Sequence, residues 1–250
     1  MKNFKLLIII FNFALLIFNF GIPDANAALI IQAPKYIGLT NGLVGYWSFD
    51  GADMASVTAY DRSGQGNNGT LTNGPTRVQG KIGQGLSFDG VDDYAQVTGL
   101  LGSAATVTLV VWANLNAPDL EGGDIISLGG AVALRLRDPT SSNKTYGVYR
   151  YATGWRSITT VANFDVTGWH HFVYIVNPGA SSQGLYIDGV QVASGSVSDA
   201  ISYSLGPNTF IGKNGNGGTT TDLNGLIDDV RVYNRVLTND EIKRLYNLGR

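Results

Sequence analysis

The 250-residue chain has no cysteine, two histidines and, among 19 acidic residues, two glutamates, Glu121 and Glu241. Without cysteine there can be no disulfide framework, thiolate zinc site, iron–sulfur cluster or cysteine nucleophile. The shortage of His and Glu leaves the usual acid/base and metal-catalysis sets almost empty. Charge is also scarce: 14% of residues are charged, with 17 Lys+Arg against 19 Asp+Glu and a net charge of -2. No basic run is present, which argues against a nucleic-acid footprint. A hydrophobic content of 44% excludes a disordered chain.

Long apolar runs are missing too, except at the start. Lys2 and Lys5 precede an apolar stretch from Leu6 to Phe20, Pro23 breaks it, and Ala25-Asn26-Ala27 gives a small-x-small cleavage pattern. At fifteen residues with two Asn, the stretch is shorter than the ~20 a membrane span needs. Residues 1–27 therefore read as a cleaved export signal and 28–41 as a linker or edge strand. No later stretch could span a membrane, and the expected location is secreted or cell-surface.

What the chain has in quantity is glycine, with 33 residues, and short alternating apolar runs separated by Gly, Asn and Asp turns. Runs fall at 42–49, 85–88, 94–97, 106–115, 124–128, 131–137, 145–151, 155–161, 169–176, 208–212 and 223–235. A hairpin is expected across Asp188-Gly189 within 184–195. Thr238-Asn239-Asp240-Glu241 spells a capping box, followed by Ile242, Leu245 and Tyr246 on one helical stripe. The expected fold is all-β: a two-sheet antiparallel jelly-roll sandwich over residues 42–250 with one short C-terminal helix.

Six segments occur in order: GLVGYWSFDG (42–51), DRSGQGNNGTL (61–71), GKIGQGLSFDGVDDYAQV (80–97), TGWHHFVY (167–174), LYIDGVQV (185–192) and LIDDVRVYNRVLTNDEIKRLY (226–246). Together they resemble the laminin-G-like, concanavalin A-like jelly rolls of exported bacterial proteins. The resemblance implies a ligand-binding module, often for carbohydrate and frequently with one calcium ion. By the same resemblance, Asp228 would be a calcium ligand, with Asp50 and Asn68 as contributors.

The residues permit other readings of these acids. Strict alternation puts Asp228 on the face of Val230 and Val232, where a carboxylate needs a cation or hydrogen-bond donors. It could instead accept N–H bonds from a neighbouring turn, and Asp229 could pair with Arg231 or Arg77. Asp89, Asp92 and Asp93 form either a second metal or sugar-hydroxyl site or a turn capped by Asp side chains.

The densest aromatic run is Tyr146, Tyr149, Tyr151 and Trp155, with Arg150 and Arg156 beside it. Tyr149, Tyr151, Trp155 and Arg156 are the candidate ligand contacts, because sugars stack their C–H faces on aromatic rings. Against this, tyrosine favours strands, and one strand face packs the core. Trp47, Trp112 and Trp169 read as core, as does His171. His170 and His171 point to opposite faces and cannot share a metal.

Catalytic signatures are missing. There is no G-x-S-x-G elbow and no Glu-x-Asp-x-Glu strand of the kind some jelly-roll β-glucanases carry. The chain thus reads as an exported, non-catalytic module for a glycan or other cell-surface ligand. The alternatives are a surface adhesion protein that binds proteins and, last, a glycoside-cleaving enzyme, which would require two positioned carboxylates.

Overall fold

The alternating runs pair into two antiparallel sheets in the computed structural model, which describes residues 38–100, 103–115, 123–138, 144–160, 168–215 and 222–250. The expected signal, residues 28–37 of the linker and Glu121 lie outside the described residues. In chain order the strands are β1 (Leu43–Trp47), β2 (Met54–Ala55), β3 (Thr58–Ala59), β4 (Gly69–Thr72), β5 (Thr76–Gln79), β6 (Gln84–Asp89), β7 (Tyr94–Val97), β8 (Val107–Leu115), β9 (Gly123–Leu128), β10 (Val132–Asp138), β11 (Lys144–Tyr151), β12 (Gly154–Thr159), β13 (His170–Asn177), β14 (Ser182–Ile187), β15 (Val190–Gly195), β16 (Thr209–Ile211) and β17 (Asn224–Tyr233). The helix α1 spans Asn239–Leu248. It is not long and apolar enough to cross a membrane, and neither is any other helix among the described residues.

The first sheet runs β15-β14-β13-β8-β17-β6-β5, with β1 also paired to β17. The second runs β12-β11-β10-β9-β16-β7-β4-β3-β2. Strand order departs from chain order in both, so the chain crosses between sheets as a jelly roll requires. The short strands β2 to β5 carry no long alternating run, which is why sequence pattern did not mark them.

The main core lies between the sheets. Val107, Leu109, Val111 and Ala113 of β8 alternate into it and meet Ile126, Leu134 and Tyr149. The intervening residue Val110 faces the other way and joins a second apolar cluster with Val173, Ile175, Tyr186 and Tyr233, covered by Ile242 and Leu245 of α1. This is why β8 and β13 read as nearly continuous apolar runs: both their faces are buried. The expected capping box is formed, with the Glu241 N–H donating to Thr238 Oγ1 (3.2 Å) and the Thr238 N–H to Glu241 Oε2 (2.8 Å). Trp47 and Trp112 are buried as expected. Trp169 is not a core residue: it is half-buried just ahead of β13.

One register feature corrects the alternation argument. Against β8, β17 shifts register between Asp228 and Arg231, and Asp229 sits at φ 49°. This bulge inserts one extra residue, so alternation restarts after it. Val230 and Val232 face the inter-sheet core. Asp228 instead lies opposite Trp112, on the outer face of the first sheet.

Candidate functional site

The β11–β12 hairpin forms the end of the second sheet, with Tyr149 opposite Arg156, Arg150 opposite Trp155 and Tyr151 opposite Gly154. Cross-strand partners share a face. The hairpin therefore divides the expected ligand residues between its two sides. Tyr149 is 0% exposed in the inter-sheet core and can touch no ligand. Tyr151 is half-buried at the core's margin, with the Arg156 guanidinium 4.9 Å from its ring centroid. Arg156 in turn donates from Nε (3.0 Å) and Nη2 (2.7 Å) to Asp199 Oδ2.

Trp155 and Arg150 occupy the sheet's outer face. Trp155 is 46% exposed, the largest aromatic surface among the described residues. The Arg150 guanidinium lies 5.6 Å from its ring centroid, and Arg150 Nε donates to Ser204 Oγ at 3.2 Å. The Ser202 N–H donates to the Arg150 carbonyl (2.8 Å), and Ser202 Oγ lies 3.3 Å from Ser204 Oγ. Beside them, Leu205 is 38% exposed. The surface thus consists of an open indole, a guanidinium held over it and two hydroxyls from the 199–205 segment. Asp199, Ser202 and Ser204 were missed by sequence reasoning, because nothing local marks a loop some fifty residues from the arginine it meets.

Further across the same face, Arg135 holds Asp124 in a buried ion pair and donates to Tyr146 Oη at 2.7 Å. Lys213 Nζ lies 4.9 Å from the Tyr94 ring centroid and 3.7 Å from Asp222 Oδ2.

The acids expected to bind calcium are placed differently. Asp228 is 0% exposed, and its Oδ2 accepts the Ile82 N–H at 2.7 Å. Asp50 Oδ1 accepts the Gln84 N–H at 2.8 Å. Both carboxylates therefore grip one turn, Gly80–Gln84, from different elements. Asn68 Oδ1 accepts the Asp61 N–H at 3.0 Å in another loop. Asp229 makes a two-pronged pair with Arg231 (2.7 and 3.1 Å). Calcium requires six to eight oxygen ligands, whereas this neighbourhood supplies N–H donors, so Asp228, Asp50 and Asn68 do not fit that ion as a set. Asp228 Oδ1 is buried without a hydrogen-bond partner, as are Trp112 Nε1 and His171 Nδ1 on the adjoining strands. Burial pushes the Asp228 carboxyl up to about 7 and the buried His171 imidazole down to about 3.

Asp89, Asp92 and Asp93 do converge, with ligand atoms within 4.8 Å of one another, a spacing that could hold a metal ion. The same turn is also tied internally. Asp89 Oδ1 accepts the Val91 N–H (2.8 Å), and Asp93 Oδ2 accepts the Asp89 N–H (3.1 Å). Burial and the neighbouring Asp89 charge push the Asp93 carboxyl up.

Two antiparallel sheets in crossed-over order, a core between them and a polar, aromatic outer surface define a jelly-roll β-sandwich. The family model of the concanavalin A-like lectin/glucanases superfamily matches residues 89–243, and the chain belongs to that superfamily. Domain 4 of AbnA, an extracellular arabinanase of Geobacillus stearothermophilus solved in complex with arabinotriose, superposes with a TM-score of 0.65 at 19% identity, over 83% of this chain and 98% of that one. The binding domain of Paraclostridial Mosquitocidal Protein 1 gives 0.64 at 18% identity, over 84% of this chain and 52% of that one. The botulinum neurotoxin serotype D/C binding domain gives 0.63 at 14%, over 85% of this chain and 53% of that one. This chain thus spans about half the length of the two toxin domains. These neighbours share the fold; the two toxin structures are binding domains, and the arabinanase domain was solved with a bound oligosaccharide. A search of the curated proteins gives no significant match.

Proposed function

We propose that this chain is an exported, non-catalytic module that binds carbohydrate through the outer surface of the β11–β12 hairpin. The observation that carries the reading is Trp155, an indole left 46% exposed while Arg150 is held over it and Ser202 and Ser204 stand alongside. An apolar ring flanked by a few fixed polar groups is the usual composition of a sugar-binding surface. Several neighbours of the same fold are binding domains, which supports a binding role. The composition of residues 1–27 supports export, with 42–250 as the mature binding domain. Of the other exposed apolar residues, Val57 and Tyr60 flank β3, Val91 lies in the β6–β7 turn, Val190 opens β15 and Val236 precedes α1. The alternative is a surface adhesion role, which a broad flat apolar patch would favour.

The test is a titration of wild type, Trp155→Ala and Tyr151→Ala against arabino-, xylo-, gluco- and galacturono-oligosaccharides. Trp155→Ala should weaken binding by roughly five- to a hundredfold, given the 1–3 kcal/mol typical of a stacking contact. Tyr151→Ala should weaken it less, because that ring is half-buried under Arg156. Unchanged affinity in both variants would remove the hairpin from the binding surface. A structural calcium is a separate proposal, with Asp89, Asp92 and Asp93 as its donors, since cation binding there would relieve their mutual repulsion. It requires a higher melting temperature in calcium than in chelator.

A further inference from the structure

We infer that the saccharide bound at Trp155 is an acidic one, a uronic-acid oligosaccharide whose carboxylate is taken by Arg150. The inference rests on the reading of the hairpin surface as a glycan site and adds its chemical class.

Two other arginines of this sheet are neutralised, Arg135 by Asp124 and Arg156 by Asp199. Arg150 has no acidic partner among the described residues. Its side chain makes one hydrogen bond, from Nε to the neutral Ser204 Oγ, and one ring contact with Trp155. A guanidinium carries five N–H donors in one plane. The Ser204 bond uses Nε, and an interaction with an indole face uses none of the donors. The two terminal nitrogens therefore remain, and together they form the edge that matches a carboxylate in two parallel hydrogen bonds.

Placement supports the same conclusion. The Arg150 guanidinium lies over the indole at 5.6 Å from its centroid while Trp155 stays 46% exposed, so ring surface remains open beside the terminal nitrogens. Trp155 on one side and Ser204 on the other fix the arginine in position before any ligand arrives, which lowers the ordering cost of binding. An apolar ring surface next to a fixed cationic fork complements a pyranose that carries a carboxylate. The hydroxyls of Ser202 and Ser204 can bond its remaining hydroxyls. An acidic peptide would satisfy the fork but would have no use for the open indole.

The experiment is calorimetric titration of the purified chain with oligogalacturonate and with the same oligosaccharide fully methyl-esterified, in which each carboxylate charge is replaced by a neutral methyl ester. Wild type should bind the acid on the order of ten- to a hundredfold more tightly than the ester, as a charge-assisted hydrogen-bonded pair implies. Arg150→Gln should abolish that ratio, the acid losing far more affinity than the ester. Trp155→Ala should weaken both ligands. Added salt should reduce acid binding and leave ester binding unchanged. If Arg150→Gln keeps the acid-to-ester ratio, the carboxylate assignment falls while the glycan site stands. If neither oligosaccharide binds, the uronate inference falls while the glycan reading is still decided by the neutral oligosaccharides; if Trp155→Ala alters neither affinity, the hairpin surface falls as the site and the inference with it. Equal binding of a sulfated galactan oligosaccharide or of oligoglutamate would overturn the uronate assignment in favour of a general anion site. Both substitutions are on the surface, and unchanged thermal melting would confirm that the fold is intact.

Discussion

Gly147 shows how tightly the two sheets are fitted together. It lies on the core-facing side of β11, where an added Cβ would run into the ring of Tyr174 on β13. Tyr174 is completely buried, with its hydroxyl 3.1 Å from Gln183 Oε1, so its ring has little room to move aside. In an ordinary strand, Gly→Ala would help by reducing backbone entropy in the unfolded chain. Here overpacking should win. Gly147→Ala is expected to cost about 2 kcal/mol or more, which in a chain of this size lowers the melting temperature by about 2–4 °C for each kcal/mol. A neutral or stabilising result would mean that the sheets can separate locally to accept a methyl group. The sequence does not reveal this position: a glycine in an alternating strand looks the same whether it faces an opposing ring or solvent. Tyr149, two residues on, was uncertain for the same reason. Strand periodicity puts it on one face with Tyr151, but periodicity does not say which face is the core.

At the scale of elements, α1 and its cap were legible because their signals are local. Thr238 and Glu241 stand three residues apart, and the apolar stripe repeats within two turns. The tertiary role of Glu241 was not legible. Its carboxylate also receives Arg235 Nη1 (2.9 Å) and Nη2 (2.7 Å), and Arg235 donates further to the carbonyls of Asn41 and Gly38. The helix cap is thereby tied to the turn that leads into β1. Thr238→Ala should remove one capping bond and cost about 1 kcal/mol. Glu241→Ala should cost more, roughly 2–3 kcal/mol, because charge-assisted bonds are lost and Arg235 is left half-buried without its partner. Hydrogen exchange separates the two effects. Thr238→Ala should raise exchange mainly in 239–242, while Glu241→Ala should raise it there and in 38–43 as well. Equal exchange patterns would show that Arg235 does not transmit the contact. The bulge at Asp229 is the converse case: one residue in an unusual conformation reversed the face of Asp228, and no periodic argument could foresee it.

For the whole molecule, stability against pH depends on groups with opposing signs. Asp228 is buried and holds its proton to about 7, against an ordinary 3.8. Between those values the unfolded chain has lost a proton that the folded chain keeps, so Asp228 makes stability fall as pH rises from about 4 to 7. His171, buried as a neutral ring, is held down to about 3 against 6.5. There the unfolded chain binds the extra proton, and stability rises with pH from about 3 to 6.5. Glu241 is held at about 2 by Arg235, so its contribution is complete above 4.5 and is lost only in strong acid. In wild type the Asp228 and His171 slopes oppose one another across most of the range from pH 4 to 6.5 and flatten the profile. Asp228→Asn keeps the shape and an oxygen for the Ile82 N–H but removes one of the two slopes. Relative to wild type, its stability should therefore climb by about 1.4 kcal/mol per pH unit between roughly pH 4 and 7 and stay level on either side. Urea unfolding at half-unit steps from pH 3.5 to 8 measures that difference directly. If the two profiles run parallel, Asp228 is ionised in the folded protein throughout that range. The Gly80–Gln84 turn would then supply enough N–H donors to offset the burial of its charge.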